Sequence, residues 1–299
     1  MRQVSTIIFL LLALAPTAAS AAEDRPAVVP GSAASHQHRH GGEGANRDWT
    51  GYPLITPVMG GADPRTGATL AIKNIQSSML EVFSPASESG KSRWQVQVGP
   101  RGAKVEAPKI GNYHWISARE EREGHVAVAS TVYFFGNPGP APTKLLLSKK
   151  NELEIIPQPL PREHANYREN EKWRFLVRFN GQPLSGKTVV LETENGNKSS
   201  FASDAQGAVT VLFPRDMKAP AADRAEGHNH GPRRAKFVLA AEHVADGTHY
   251  VTAFNYVYTP DAYAGKSLWA GLGFGVFGML LATPMLRRKK LEKVPAGGQ

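Results

Sequence analysis

Most of the chain alternates between short apolar runs and Gly, Pro, Ser, Asn or Asp breakers, with no helical stretch between the runs until residue 267. The pattern is clearest over Asn151–Pro214, where Trp173–Phe179, Thr188–Leu191 and Val209–Phe213 are β-branched and aromatic, as a half-buried pleated surface prefers. Two turn signals join the strands of this stretch, Gly181-Gln-Pro-Leu-Ser-Gly186 and Ser203-Asp-Ala-Gln-Gly207, in which Gly supplies backbone angles that other residues avoid. Further strands are expected at Thr69–Lys73, Met79–Phe83, Trp94–Val98, Tyr113–Ser117 and His125–Phe135. Lys236–His243 and His249–Tyr258 follow as a hairpin around Asp246-Gly247.

This spacing predicts an all-β protein built from two tandem β-sandwich domains of the immunoglobulin or transthyretin kind. The first covers 48–143 and the second 144–260, with Gly136–Pro142 as the break, because several prolines cannot sit inside a ladder. Within the second, residues 216–234 show no apolar periodicity and read as a disordered surface loop. Residues 23–47, rich in Ala, Pro, Gly, Ser and His, read as a disordered segment.

The ends carry targeting signals. Arg2, the short apolar run Ile7–Leu14 and the small residues Ala19-Ser20-Ala21 predict a secretory signal peptide over 1–22. Ser267–Leu286 is twenty residues without a charge, which matches the ~20 needed to cross the hydrocarbon core. Arg287-Arg-Lys-Lys290 opens a basic tail, 287–299, and basic residues stay on the cytoplasmic side. The expectation is an inner-membrane protein with one transmembrane helix, its body in the periplasm and its C-terminus in the cytoplasm.

Charge then narrows the partners. The net charge of +9 falls to +4 once Arg2, the five basic residues of the tail and Glu292 are set aside, leaving 29 basic against 25 acidic residues. No Lys/Arg run outside the tail resembles a nucleic-acid stripe, so nucleic acid is not an expected partner. Cysteine is absent, which excludes disulfides, thiolate metal sites and a cysteine nucleophile. No nucleophile elbow, metalloprotease, phosphate-loop or dinucleotide motif occurs, and the chain is expected not to be an enzyme. Ser203-Asp204 and Glu152/Glu154 are better explained by a turn and a strand edge.

Ten histidines direct attention to metals bound by imidazole. His36-x-His38-x-His40 and His228-x-His230 place neutral imidazoles on segments expected to be mobile, able to hold Ni²⁺, Co²⁺, Cu²⁺ or Zn²⁺ transiently. Ordering such segments costs entropy, which suits capture and hand-off better than permanent binding. The strand histidines are weaker candidates. A two-residue loop at Asp246-Gly247 pairs Val244 with His249 and His243 with Tyr250, so His243 and His249 point to opposite faces. His114 and His125 fall on adjacent strands, and His164 follows Glu163 in a loop.

At Leu153-Glu-Ile-Ile-Pro157, Phe179-Asn-Gly-Gln-Pro-Leu-Ser-Gly-Lys-Thr-Val189 and Ser203-Asp-Ala-Gln-Gly-Ala208 the chain resembles the NikM-like family of periplasmic proteins, found with nickel/cobalt uptake systems. The resemblance covers about Asn151 to Pro260. The same hairpin and turn occur in transthyretin-like and carboxypeptidase regulatory-like sandwiches, which bind rather than catalyse. It implies an exported two-part β-sandwich, often with a C-terminal membrane helix, that supports transition-metal uptake by a metal transporter. Family members often begin the mature chain with a His close to an aromatic. Here His40 and Trp49 are separated by a Gly-rich stretch, so that site does not carry over. The rival expectation is a non-metal interaction module that docks another envelope protein.

Overall fold

Most strands of this chain are buried on one face or on both, and that difference sorts them into layers. The computed structural model describes residues 49–58, 66–85, 92–107, 112–136, 141–162, 165–217, 233–262 and 268–288. In chain order its strands are β1 (Leu54–Pro57), β2 (Gly67–Lys73), β3 (Met79–Phe83), β4 (Arg93–Gln97), β5 (Ala103–Glu106), β6 (Tyr113–Arg122) and β7 (His125–Phe134). After a short helix, α1 (Thr143–Leu147), come β8 (Leu153–Pro157), β9 (Tyr167–Arg168), β10 (Lys172–Phe179), β11 (Gln182–Pro183) and β12 (Thr188–Thr193). Then follow β13 (Lys198–Ala202), β14 (Ala208–Leu212), β15 (Ala235–Ala245), β16 (Thr248–Thr259) and the helix α2 (Leu268–Arg288).

The structure is mostly β, in sandwich-like sheets, and residues from Arg47 onward form one unit. Its middle layer is a nine-stranded sheet in the order β13-β12-β15-β16-β7-β6-β3-β4, with β9 beside β16. Strands β6 and β7 are buried on both faces over Tyr113–Ala118 and Val126–Val132, which explains why they read as near-continuous apolar runs. One face carries Tyr113, Trp115, Leu239 and Phe254, packed on Phe175, Val177 and Val211 of a four-stranded sheet made of β8, β10, β11 and β14. The other face carries Leu80, Val82, Ile116 and Ala129, packed on Ile55, Leu70 and Val105 of a three-stranded sheet in the order β1-β2-β5. Two sandwiches therefore share a middle sheet.

That sharing differs from two sandwiches placed in tandem. β16, from the later segment, pairs in parallel with β7 from the earlier one, His249 opposite His125 through Phe254 opposite Ser130. The break expected at Gly136–Pro142 has residues 137–140 outside the described set, and strands on either side of it lie in one sheet. No periodicity within a strand announces a partner more than a hundred residues away, and this pairing is of that kind.

The turn at Gly181 also behaves differently from a simple hairpin. Asn180 and Gly181 both take positive φ, 51° and 85°, and start a tight hairpin in which Arg178 faces Pro183 and Phe179 faces Gln182. Pro183 has no N–H to extend the ladder, and after two pairs the chain leaves for the middle sheet, where β12 pairs with β13 and β15. The Ser203–Gly207 turn is an Asx turn, since Asp204 Oδ1 accepts from the N–H of Gln206 and of Ala208 at 2.9 and 2.8 Å. Gly207 at φ 71° is required there: a Cβ would lie 2.6 Å from the Val177 carbonyl oxygen.

Two polar devices hold the layers together. Asn255 on β16 accepts from the Ile55 N–H at 2.9 Å and donates to the Ile55 carbonyl at 2.8 Å, so one side chain completes the backbone bonding of β1. Glu154, on a strand buried throughout, pairs with Arg178 at 2.7 Å; their side chains are 1% and 6% exposed. Arg178 also donates to the carbonyls of Leu147 and Ser148, fastening the end of α1 to the four-stranded sheet.

An α-helix occupies the uncharged C-terminal run. Its side chains are described over 272–283 and all are exposed, Phe274 at 80% and Met279 at 75%. Among the described residues no helix is long and apolar enough to cross a membrane.

Candidate functional site

The histidines divide by where the sheets place them. His36, His38 and His40, His228 and His230, and His164 lie outside the described residues. Four remain, on β6, β7, β15 and β16.

His114 on β6 is fully buried, edge-on to Phe135 at 5.1 Å and to Trp94 at 5.7 Å. Neither ring nitrogen has a hydrogen-bond partner among the described residues, and burial pushes its pKa down to about 4. It is a neutral packing residue, and it sits opposite Tyr133 while His125 sits opposite Arg122, at the far end of the same pair of strands. Adjacent strands do not bring these two together.

The hairpin β15–β16 has the register expected from its two-residue turn, His243 opposite Tyr250 and Val244 opposite His249. The two imidazoles accordingly separate. His243 packs edge-on against Phe179 at 4.6 Å, and its pKa is lowered by burial and then by Lys187. His249 faces the other way and meets His125. The two rings lie 5.4 Å apart between centroids, tilted by 49°, because β16 and β7 run parallel with these residues in register. Glu242, diagonal to His249 on β15, reaches His249 Nε2 with Oε2 at 3.0 Å. The patch is open, with His249 39% and Glu242 53% exposed.

Reasoning from the sequence missed this pair. The local signal was symmetrical, however: each histidine sits one or two positions after a turn glycine, Gly124 and Gly247, at the head of a long apolar strand. Both glycines have positive φ, and the His249 N–H donates to the Gly124 carbonyl at 2.9 Å, tying the two turns side by side.

Two cavities flank the middle sheet. A polar groove of about 680 Å³ lies over β3, β4 and β6 beside the Lys149–Glu152 segment. A cleft of about 510 Å³ opens where β7 and β16 part company, walled by Tyr113, Tyr133, Phe134 and Tyr256. Burial pushes the Tyr256 hydroxyl up to about 12.

No family model and no curated protein matches the chain. Among solved structures it is similar to a 1.5-MDa bacterial ice-binding adhesin, at 15% identity and a TM-score of 0.22, over 70% of this chain and 64% of that one. It is also similar to the BSP domain of a biofilm-associated protein, at 12% identity and 0.22, over 66% and 28%. The third is Drosophila N-cadherin EC1-3, at 10% identity and 0.20, over 70% and 68%. The chain thus spans less than two thirds of the first two, and likenesses this low decide nothing about what it does.

The chemistry must be read from the residues. Among the described residues no group of three histidine or acidic side chains is arranged to hold a metal ion as it stands. The His125–His249 spacing is nevertheless close to what one shared ion requires. With a metal–nitrogen bond of ~2.0–2.1 Å and a tetrahedral angle, two ligating imidazoles have centroids roughly 5.2 Å apart.

Proposed function

We propose that the chain is an exported, membrane-anchored, non-enzymatic protein that binds a divalent transition metal and presents it to a transporter in the same envelope. The observation that carries the reading is the His125–His249 pair, 5.4 Å apart with Glu242 at 3.0 Å, built on two rigid strands. In this account the two His-x-His tracts, His36/His38/His40 and His228/His230, capture nickel, cobalt, copper or zinc, and the strand pair receives it. A mixed set of imidazole and carboxylate suits borderline divalent ions and leaves coordination positions open for exchange. The resemblance over Asn151–Pro260 to a family found with nickel/cobalt uptake supports the same reading.

Support for the anchor is the uncharged run Ser267–Leu286 followed by four basic residues, together with the exposure of Leu272, Phe274, Phe277 and Leu281. A contiguous apolar surface of that kind is unfavourable in water and favourable in lipid.

Calorimetric titration of Ni²⁺, Co²⁺, Cu²⁺ and Zn²⁺ into full-length protein tests the proposal. Replacing His36, His38, His40, His228 and His230 by Ala is expected to weaken capture, and His125→Ala with His249→Ala to remove a further equivalent. Unchanged affinity for all four ions in both variants would sink it. A non-metal docking module instead predicts no metal-dependent rise in melting temperature, whereas binding to the native state must raise it.

A further inference from the structure

The four-stranded sheet covers only part of one face of the middle sheet, and the uncovered part is the floor of the polar groove. There β3, β4 and β6 present Glu81, Gln95, Ser117 and Arg119 upward, while Lys149–Glu152 and Asn180 form the wall. Its volume, about 680 Å³, is in the range of small-molecule sites. The lining is almost wholly polar, with Met79 its single large apolar side chain.

Its arginines and carboxylates are already committed to one another, and its lysines to neutral groups. Glu81 is held by Arg93, Glu120 by Arg122, and Glu121 and Glu152 share Arg119. Lys149 donates to Asn180 Oδ1 at 3.0 Å. Lys150 donates to the Ser148 carbonyl at 2.7 Å and lies 4.7 Å over the Trp115 ring. Uncommitted capacity resides in neutral groups. The side-chain amides of Gln76 and Gln95 and the hydroxyls of Ser78 and Ser117 make no hydrogen bond among the described residues. Asn151 is 5% exposed and its Nδ2 has no partner among the described residues. A buried amide left unpaired is unfavourable, a penalty that a ligand at the groove wall would relieve.

A charged ligand meets arginines and carboxylates already paired with one another, and two lysines already held by the Asn180 amide and the Ser148 carbonyl. A neutral ligand carrying many hydroxyls needs only alternating donors and acceptors, which the amides and serines supply. We infer that the groove is a binding site for a neutral saccharide chain, separate from the histidine patch and independent of the metal proposal.

The test uses full-length protein in a detergent without a sugar headgroup, titrated calorimetrically with maltotriose, N,N′,N″-triacetylchitotriose and xylotriose, and in parallel with citrate and glycylglycine. At least one trisaccharide is expected to bind more tightly than either charged probe. Gln76→Ala and Gln95→Ala are each expected to weaken that binding about tenfold, the loss of one good hydrogen bond. Both side chains are exposed, so unchanged melting temperatures will show the fold intact. The inference fails if no trisaccharide binds, if citrate or glycylglycine binds more tightly, or if the two variants bind as the parent does.

Discussion

The two cores on either side of the middle sheet are built from different materials. The one under the four-stranded sheet is aromatic. Tyr167 stacks on Phe175 and Phe213, and Phe237 meets Phe213 edge-on at 4.8 Å. The one under the three-stranded sheet is mainly aliphatic and small, with Ala68, Ala103, Ala118, Ala127 and Ala129 among its buried residues and Phe135 as its fully buried aromatic. Aromatic side chains bury large areas and fix geometry through their ring contacts, so the first core carries more stabilisation per residue. Alanines let the second pair of sheets approach closely but contribute little area, and that layer relies on the Asn255 clamp to hold β1. One sheet thus has a strongly bonded face and a weakly bonded face.

Core truncations probe the contrast most strongly. Phe237→Ala should cost about 3–5 kcal/mol in urea unfolding, and Leu70→Ala, at the thin core, should fall toward the lower end of the ~2–5 kcal/mol seen for such changes. A larger loss at Leu70 would reverse the ranking of the two faces. Arg178→Ala strands Glu154 without its partner in a buried site and should cost about 3–5 kcal/mol. Arg93→Ala, removing an exposed partner of Glu81, should cost about 0–1 kcal/mol.

His114, on the aliphatic side, gives a pH signature. Its folded pKa of about 4 lies below the unfolded value of 6.5, so both states are neutral above pH 6.5. As pH falls below 6.5 the unfolded chain takes a proton that the folded chain refuses until about pH 4, and stability is lost across that window. The full effect is about 3 kcal/mol. His114→Leu should abolish this component, seen as a smaller drop in unfolding free energy between pH 6.5 and 4 than the parent shows. Equal drops would mean that the imidazole is hydrated. A smaller effect than that of the core truncations is expected from Asn255→Ala. It should cost about 1–3 kcal/mol and raise hydrogen exchange at Ile55 and across β1 before the aromatic core responds.

Much of this architecture was legible in the sequence, and the exceptions share a cause. Met79–Phe83 and the β15–β16 hairpin, with its register, follow from alternation and a two-residue turn, both local signals. Leu54–Pro57 and Ala103–Glu106 escaped because four residues are too few to show a period. Residues 173–179 and 188–191 were legible as strands but not as members of different sheets, because a Gly turn does not say which layer the chain enters next. The same blindness hid the candidate site. His125 and His249 meet only through a parallel pairing across 124 positions, while the histidines that stood out in the sequence, at 36, 38, 40, 228 and 230, lie outside the described residues.

The central claim is that these two strand histidines share an ion. Crystals of the protein grown with Zn²⁺ and measured at the zinc absorption edge address it directly. The account predicts an anomalous peak ~2.0–2.1 Å from one ring nitrogen of His125 and one of His249, with Glu242 turned toward it. Zinc bound elsewhere on the chain, with no peak between these two rings, would contradict it.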